Sequence, residues 1–196
     1  MGSHPQFIEQ ASYAGAHILH VGTAQPSSIV AGRQLALKAA INHADKPADV
    51  IVWLHIERSN MVPLIPKLVN GLGIGADAAI AVRENLDSYP FARAMGDQLI
   101  NHYAQRATRR SDIDFSFEAI ALRPQAAGVV ANCTIPAPFV AKIALLQAKV
   151  SVIGVALSFI FDPNQREEEE ASYDFGERCL ANTQQNMRYL WLYIGK

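Results

Sequence analysis

The sequence predicts an α/β fold in a single domain over residues 5–196: a mainly parallel first half built from βαβ units, with antiparallel strands added in the second half. An α+β sandwich is the alternative arrangement. Three observations carry the prediction. Short apolar runs rich in β-formers alternate with amphipathic stretches through the first half, and the pattern from Ile113 to Ala121 switches to period two. The chain of 196 residues, 50% of them hydrophobic, is long enough to bury one sizeable core without disulfides or metals.

In chain order, Met1–His4 reads as a cloning remnant and is set aside. His17 to Thr23 reads as the first strand, bounded by Gly15 and by Ala24-Gln25-Pro26. Ser27 or Ser28 then offers an N-cap to a helix whose Ile29, Val30, Leu35, Leu37 and Ile41 keep one face apolar. After a turn cluster at residues 44–49, "VIVWLHIERSN" reads as a continuous strand that completes a right-handed βαβ unit.

Pro63 and Pro66 make residues 60–70 an irregular entry to a short helix, because a proline inside a helix loses a hydrogen bond and clashes. Gly71, Gly73 and Gly75 close it as a turn, and "AAIAVR" reads as a third strand. "PFARAMGDQLINHYAQRA" is the clearest helix, with Pro90 at its start and Phe91, Met95, Leu99 and Tyr103 in one stripe.

In the second half, Ile113, Phe115, Phe117, Ala119 and Ala121 alternate with polar residues and read as a strand covered on one face. "AGVVANCTI" reads as its neighbouring strand, "APFVAKIALLQAK" as a helix and "VSVIGVALSFIFDP" as a long buried strand ended by Pro163. An acidic loop or frayed helix follows at 164–178. "MRYLWLYIG" reads as a last strand with Met187, Tyr189, Trp191 and Tyr193 on one side.

Composition narrows the function classes. A net charge of -1 supplies no global field for nucleic acid or an anionic membrane, and the basic run Arg106, Arg109, Arg110 suits a helix C-terminus. Charged residues are only 18% of the chain, so a homo-oligomer that hides part of the surface is expected. No stretch reaches the ~18 apolar residues of a membrane helix, and the cytoplasm is the expected compartment. Cys133 and Cys179 lack the spacing of a cysteine zinc framework; they read as reduced thiols, and no metal or cofactor is assigned.

Ligands of open α/β sheets bind outside the carboxyl ends of parallel strands, so position selects the candidate residues. The expected rim holds Gly22, Thr23, Ser27 and Ser28, then Glu57, Arg58, Ser59 and Asn60, then Arg83, Glu84 and Asn85 if "AAIAVR" is a strand. Gly22 admits close backbone approach, the hydroxyls of Thr23, Ser27 and Ser28 donate to ligand oxygens at a helix N-terminus, and Arg33 and Arg58 balance charge. Ser28 is equally well explained as a helix cap.

Trp53, His55 and Glu57 would share one face of the second strand, which makes His55 and Glu57 the acid/base candidates; a buried histidine with a satisfied hydrogen bond is the alternative. Asp112, Asp114, Ser116 and Glu118 form the densest acidic array, spaced roughly 7 Å apart on a strand, which suits either a cation or a solvated stripe. Pro26, Gly32, Arg33 and Leu35 after an apolar run resemble a segment of the SAVED domains, which sense cyclic oligonucleotides. That resemblance is confined to residues 26–35, and no family or residue role is taken from it.

The expected function is binding, with or without chemical transformation, of a small anionic, nucleotide-like metabolite at the carboxyl rim. The alternative is a non-catalytic subunit of an oligomeric assembly.

Overall fold

The computed structural model describes residues 26–42, 49–54, 56–133 and 138–194. Among them it has seven α-helices and a four-stranded mixed sheet. The elements are α1 (Pro26–Ile41), β1 (Ile51–Trp53), a 3-10 helix (Ile56–Leu64), α2 (Ile65–Asn70), a second 3-10 helix (Gly71–Ile74) and β2 (Ala78–Arg83). Then follow α3 (Phe91–Thr108), β3 (Ile120–Leu122), α4 (Pro124–Ala131), α5 (Pro138–Gln147), β4 (Val152–Leu157), α6 (Pro163–Ala171) and α7 (Phe175–Ile194).

The sheet order is β1-β3-β2-β4. β3 pairs antiparallel with both β1 and β2, whereas β2 and β4 pair parallel over six residues each. Three strands therefore share one direction and β3 opposes them. The strand expected at His17–Thr23 lies outside the described residues; of the expected first βαβ unit, the helix α1 and the strand β1 are described.

Two apolar layers sandwich the sheet, and alternation along the strands sorts side chains between them. On one face Ile51, Ile80, Ile120 and Leu122 meet α1, α3, α4, α5 and α7 through residues such as Leu37, Ile100, Val130, Ile143 and Leu190. The other face presents Ala79, Ala81, Ala119 and Ala121 to Met61, Leu68, Leu72, Phe159 and Phe161. Small residues there let the 56–74 segment lie close. A Cβ built on Gly71 would sit 2.6 Å from Val155 Cγ2 and 3.3 Å from Ala79 Cβ.

Four expectations are corrected. The second strand ends at Trp53, and residues 56–64 turn as a 3-10 helix through Pro63, so Glu57 and Arg58 do not continue a strand. The alternating segment 113–119 is not a strand, and β3 spans only Ile120–Leu122. Its period is nonetheless physical: Ile113 and Phe115 enter one core, Phe117 and Ala119 the other, as the chain crosses the end of the sheet.

Residues 127–131 of "AGVVANCTI", expected as a strand, instead form the second half of helix α4, with Pro124 in its first turn and Ala126, Ala127, Val130 and Ala131 buried at helical spacing; Thr134 and Ile135 lie outside the described residues. The aromatic tail, expected as a strand, is the last half of the 20-residue helix α7, which buries Leu190 and packs Met187, Tyr189, Tyr193 and Ile194 against the core. Two smaller points follow the same logic. Helix α1 begins at Pro26, so Ser27 and Ser28 fall within its first turn, and of the two readings of the acidic stretch, loop or helix, residues 163–171 take the helical one.

Candidate functional site

The site grows from the carboxyl end of β2. Arg83 is its last residue, and strand alternation sends the side chain inward, where it is almost wholly buried. A guanidinium cannot shed its proton in a protein, so burial obliges it to find partners. Its Nε donates to Asp114 Oδ2 at 2.7 Å, Nη2 to Asp114 Oδ1 at 3.0 Å, and Nη1 to Asp97 Oδ2 at 2.6 Å. The bidentate pairing with Asp114 is the strong form of this interaction. The guanidinium carbon also lies 4.9 Å from the Tyr89 ring centre and 5.0 Å from that of Phe117.

Asp114 is completed from two further elements. Asn101 on α3 donates to its Oδ1 at 2.8 Å, and the amides of Ser116 and Phe117 donate to the same atom at 3.1 Å each. Asn101 Oδ1 in turn accepts from the amide of Phe115 at 2.6 Å. Lys142 on α5, also fully buried, donates to the carbonyls of Asp114 at 2.7 Å, Phe115 at 3.2 Å and Phe117. The ammonium thus takes the place that a neighbouring strand would hold, which is why residues 114–117 need no ladder.

Electrostatics follow the geometry. Burial alone would raise the Asp114 carboxyl, but the Arg83 charge and hydrogen bonds override it and hold it below the ordinary carboxylate range. Asp97 moves the other way. Its burial outweighs the pull of Arg83, so it is pushed above the ordinary range. Burial drives Lys142 down to about 8, against the attraction of Asp114. The expected cation array at Asp112, Asp114, Ser116 and Glu118 is therefore corrected: Asp112 is exposed and paired with Arg110 at 2.7 Å, while Asp114 is sealed by Arg83. Among the described residues no cluster of three His, Cys, Asp or Glu side chains could hold a metal.

Asp97 links this sealed network to open space. It lines a cavity of about 270 Å³ together with Arg93 and Gly96 of α3, Glu169 of α6, and Phe175, Arg178, Cys179, Asn182 and Thr183 of α7. These are the helices that follow β2 and β4, so the cavity lies off the carboxyl ends of the parallel pair. Arg93 Nη1 is 3.1 Å from Glu169 Oε1, while Arg178 forms an exposed pair with Asp174 at 3.2 Å. Close approach of α3 and α7 shapes the floor, where a Cβ on Gly96 would lie 2.5 Å from Thr183 Oγ1.

The residues expected from sequence are placed as follows. Gly22, Thr23 and His55 lie outside the described residues, and Ser27, Ser28 and Arg33 are on α1. Glu57 and Arg58 fall in the first 3-10 helix, off the strand that was to align Glu57 with Trp53. Asn60 does reach the rim: its Nδ2 donates to the carbonyl of Ile160, just beyond β4, at 2.6 Å. Arg83 was on the expected rim, but it is spent on Asp97 and Asp114. Nothing local in the sequence marks Arg93, Asp97 and Glu169, since two lie on polar turns of helix α3 and one in a glutamate run.

No known protein family, curated protein or solved structure matches the chain. Among the described residues, no helix is long and apolar enough to cross a membrane.

Proposed function

We propose that this protein binds a small anionic, nucleotide-like metabolite in the cavity between α3, α6 and α7, off the carboxyl ends of β2 and β4. One observation carries the reading: a cavity of about 270 Å³ in the position where α/β sheets receive ligands, with two arginines on its wall. Arg93 and Arg178 supply planar forks for acid oxygens. Asp97 accepts from Arg83 Nη1 at 2.6 Å, so the carboxylate on the wall is balanced by a cation of the protein itself. The volume lies just below the ~300–1,000 Å³ usual for ligand pockets, which suits one phosphate-bearing unit and not a dinucleotide.

The test is thermal denaturation with inorganic phosphate, adenosine monophosphate and sugar phosphates, against sodium chloride at matched ionic strength. Binding raises Tm with the logarithm of ligand concentration once that exceeds Kd, by the equivalent of roughly 2.7 kcal/mol at a hundredfold excess. The R93Q/R178Q double variant should lose that rise. An equal rise in the double variant, or none in the wild type, would sink the reading.

A second reading, a self-assembling subunit, is favoured by the surface of α3. Phe91, Met95, Leu99 and Tyr103, the stripe expected along this helix, are 76%, 52%, 46% and 46% exposed. Beside this ridge runs an apolar groove of about 210 Å³ lined by Tyr103, Ala107, Met187, Leu190, Trp191 and Ile194. Ridge and groove on one face are the ingredients of an isologous contact, in which each copy fills the other. Light scattering after size exclusion separates the two readings, since a monomer at micromolar concentration excludes self-assembly and leaves ligand binding intact.

A further inference from the structure

One of the cavity's two arginines, Arg93, is already occupied by the protein's own carboxylate, and poorly. Arg93 Nη1 stands 3.1 Å from Glu169 Oε1, yet neither Arg93 Nη1 nor Glu169 Oε2 makes a hydrogen bond, although both atoms are shielded from solvent. A well-seated arginine–carboxylate pair would share two aligned bonds, as Arg83 and Asp114 do. The helix that delivers Glu169 is loosely held. α6 buries none of its residues, and it carries the consecutive acids Glu167, Glu168, Glu169 and Glu170. Its N-terminus is capped by Asp162, which accepts from the amides of Asn164 at 2.8 Å and Gln165 at 3.4 Å, and its C-terminus by Ser172, whose amide donates to the Glu169 carbonyl at 3.2 Å, so the Arg93–Glu169 pair is its ion pair to α3.

We infer that Glu169 is a built-in competitor for the ligand's acid group: a phosphate-bearing ligand takes Arg93 by displacing the Glu169 carboxylate, and α6 loses that tie to α3. This rests on the binding reading above and adds its regulation and its ligand class. A tethered carboxylate acts at an effective concentration in the millimolar range, so a free monocarboxylate of equal charge competes badly. A phosphate, with more charge and three acceptor oxygens, competes well and supplies the aligned partner that Arg93 Nη1 lacks.

The experiment compares wild type, E169Q and R93Q by calorimetric titration with inorganic phosphate and with acetate, together with amide hydrogen exchange across residues 163–171. E169A serves as a second variant, and circular dichroism verifies that each is folded. Expected are phosphate binding about fivefold tighter in E169Q and E169A, the size of a partly exposed ion pair removed from competition, and acetate binding only in those two variants. In the wild type, saturating phosphate speeds exchange in α6, and in R93Q it does not. If wild type and E169Q bind phosphate equally and R93Q does not bind, the competitor role is overturned while the cavity reading stands. If neither wild type nor E169Q binds phosphate, both fall together.

Discussion

Arg83 gives up water on every side and keeps its charge, because two carboxylates, a hydroxyl and two aromatic faces replace the solvent. Its partner Asp114 has a folded-state pKa below the unfolded value of about 3.9, so the stability it contributes is present above that pH and is lost as the pH falls through the folded value. Asp114→Asn should cost about 3–5 kcal/mol near neutral pH, since it strands a buried guanidinium. It should also flatten the fall in stability below pH 4. Urea titrations at several acid pH values measure both, and parallel acid limbs for variant and wild type would refute the assignment. At this scale the sequence was half legible. Asp114 stood out in an acidic stripe, but its partner lies 31 residues away, and nothing local marks Arg83 as inward-facing.

Helix α7 shows how an element can be misread while every residue is read correctly. Met187, Tyr189, Trp191 and Tyr193 satisfy a strand's period of two, yet Met187, Leu190 and Ile194 satisfy a helix's period equally well over the same window. Packing arbitrates: Leu190 is buried and Trp191 is 74% exposed. The seam between α3 and α7 depends on Gly96 facing Thr183, whose hydroxyl donates to the Cys179 carbonyl at 2.9 Å. Gly96→Ala should destabilise by about 1–3 kcal/mol through overpacking, despite alanine's better helix propensity. In a Thr183→Ala background most of that cost should vanish, because the colliding atom is gone. Chemical denaturation of the four members of the cycle checks this, and additivity would count against the seam.

A similar constraint sits at Gly154 of β4, where a Cβ would collide with the carbonyl oxygen of Asp112. Arg110 draws that loop over the strand by donating to Asp112 and, at 2.8 Å, to the carbonyl of Val152. The alternating run at 113–119 misled for the same reason that Gly154 is needed: the loop lies across the sheet's end and feeds both cores.

For the whole molecule, the thin charge predicted hidden surface, and the exposed ridge on α3 is where the structure leaves apolar area to hide. Leu99→Glu should leave the Tm within about 1–2 °C of wild type, as exposed substitutions do. It should abolish any concentration-dependent association seen by light scattering; an oligomer that survives the change would place its interface elsewhere.

What the sequence by itself determined is the mixed α/β character and the elements whose signals are local. β2, α3, α5 and the core of β4 all fall where apolar runs or helical stripes bounded by proline and glycine place them. Those signals are readable because a residue's burial is echoed by neighbours two, three or four positions away. Only the tertiary structure decided that the antiparallel strand of the second half, β3, sits between β1 and β2, that Lys142 substitutes for a strand beside residues 114–117, and that Arg93, Asp97 and Glu169 converge. Each of these joins residues from separate elements, and their energies depend on distances that exist only once the chain has closed on itself.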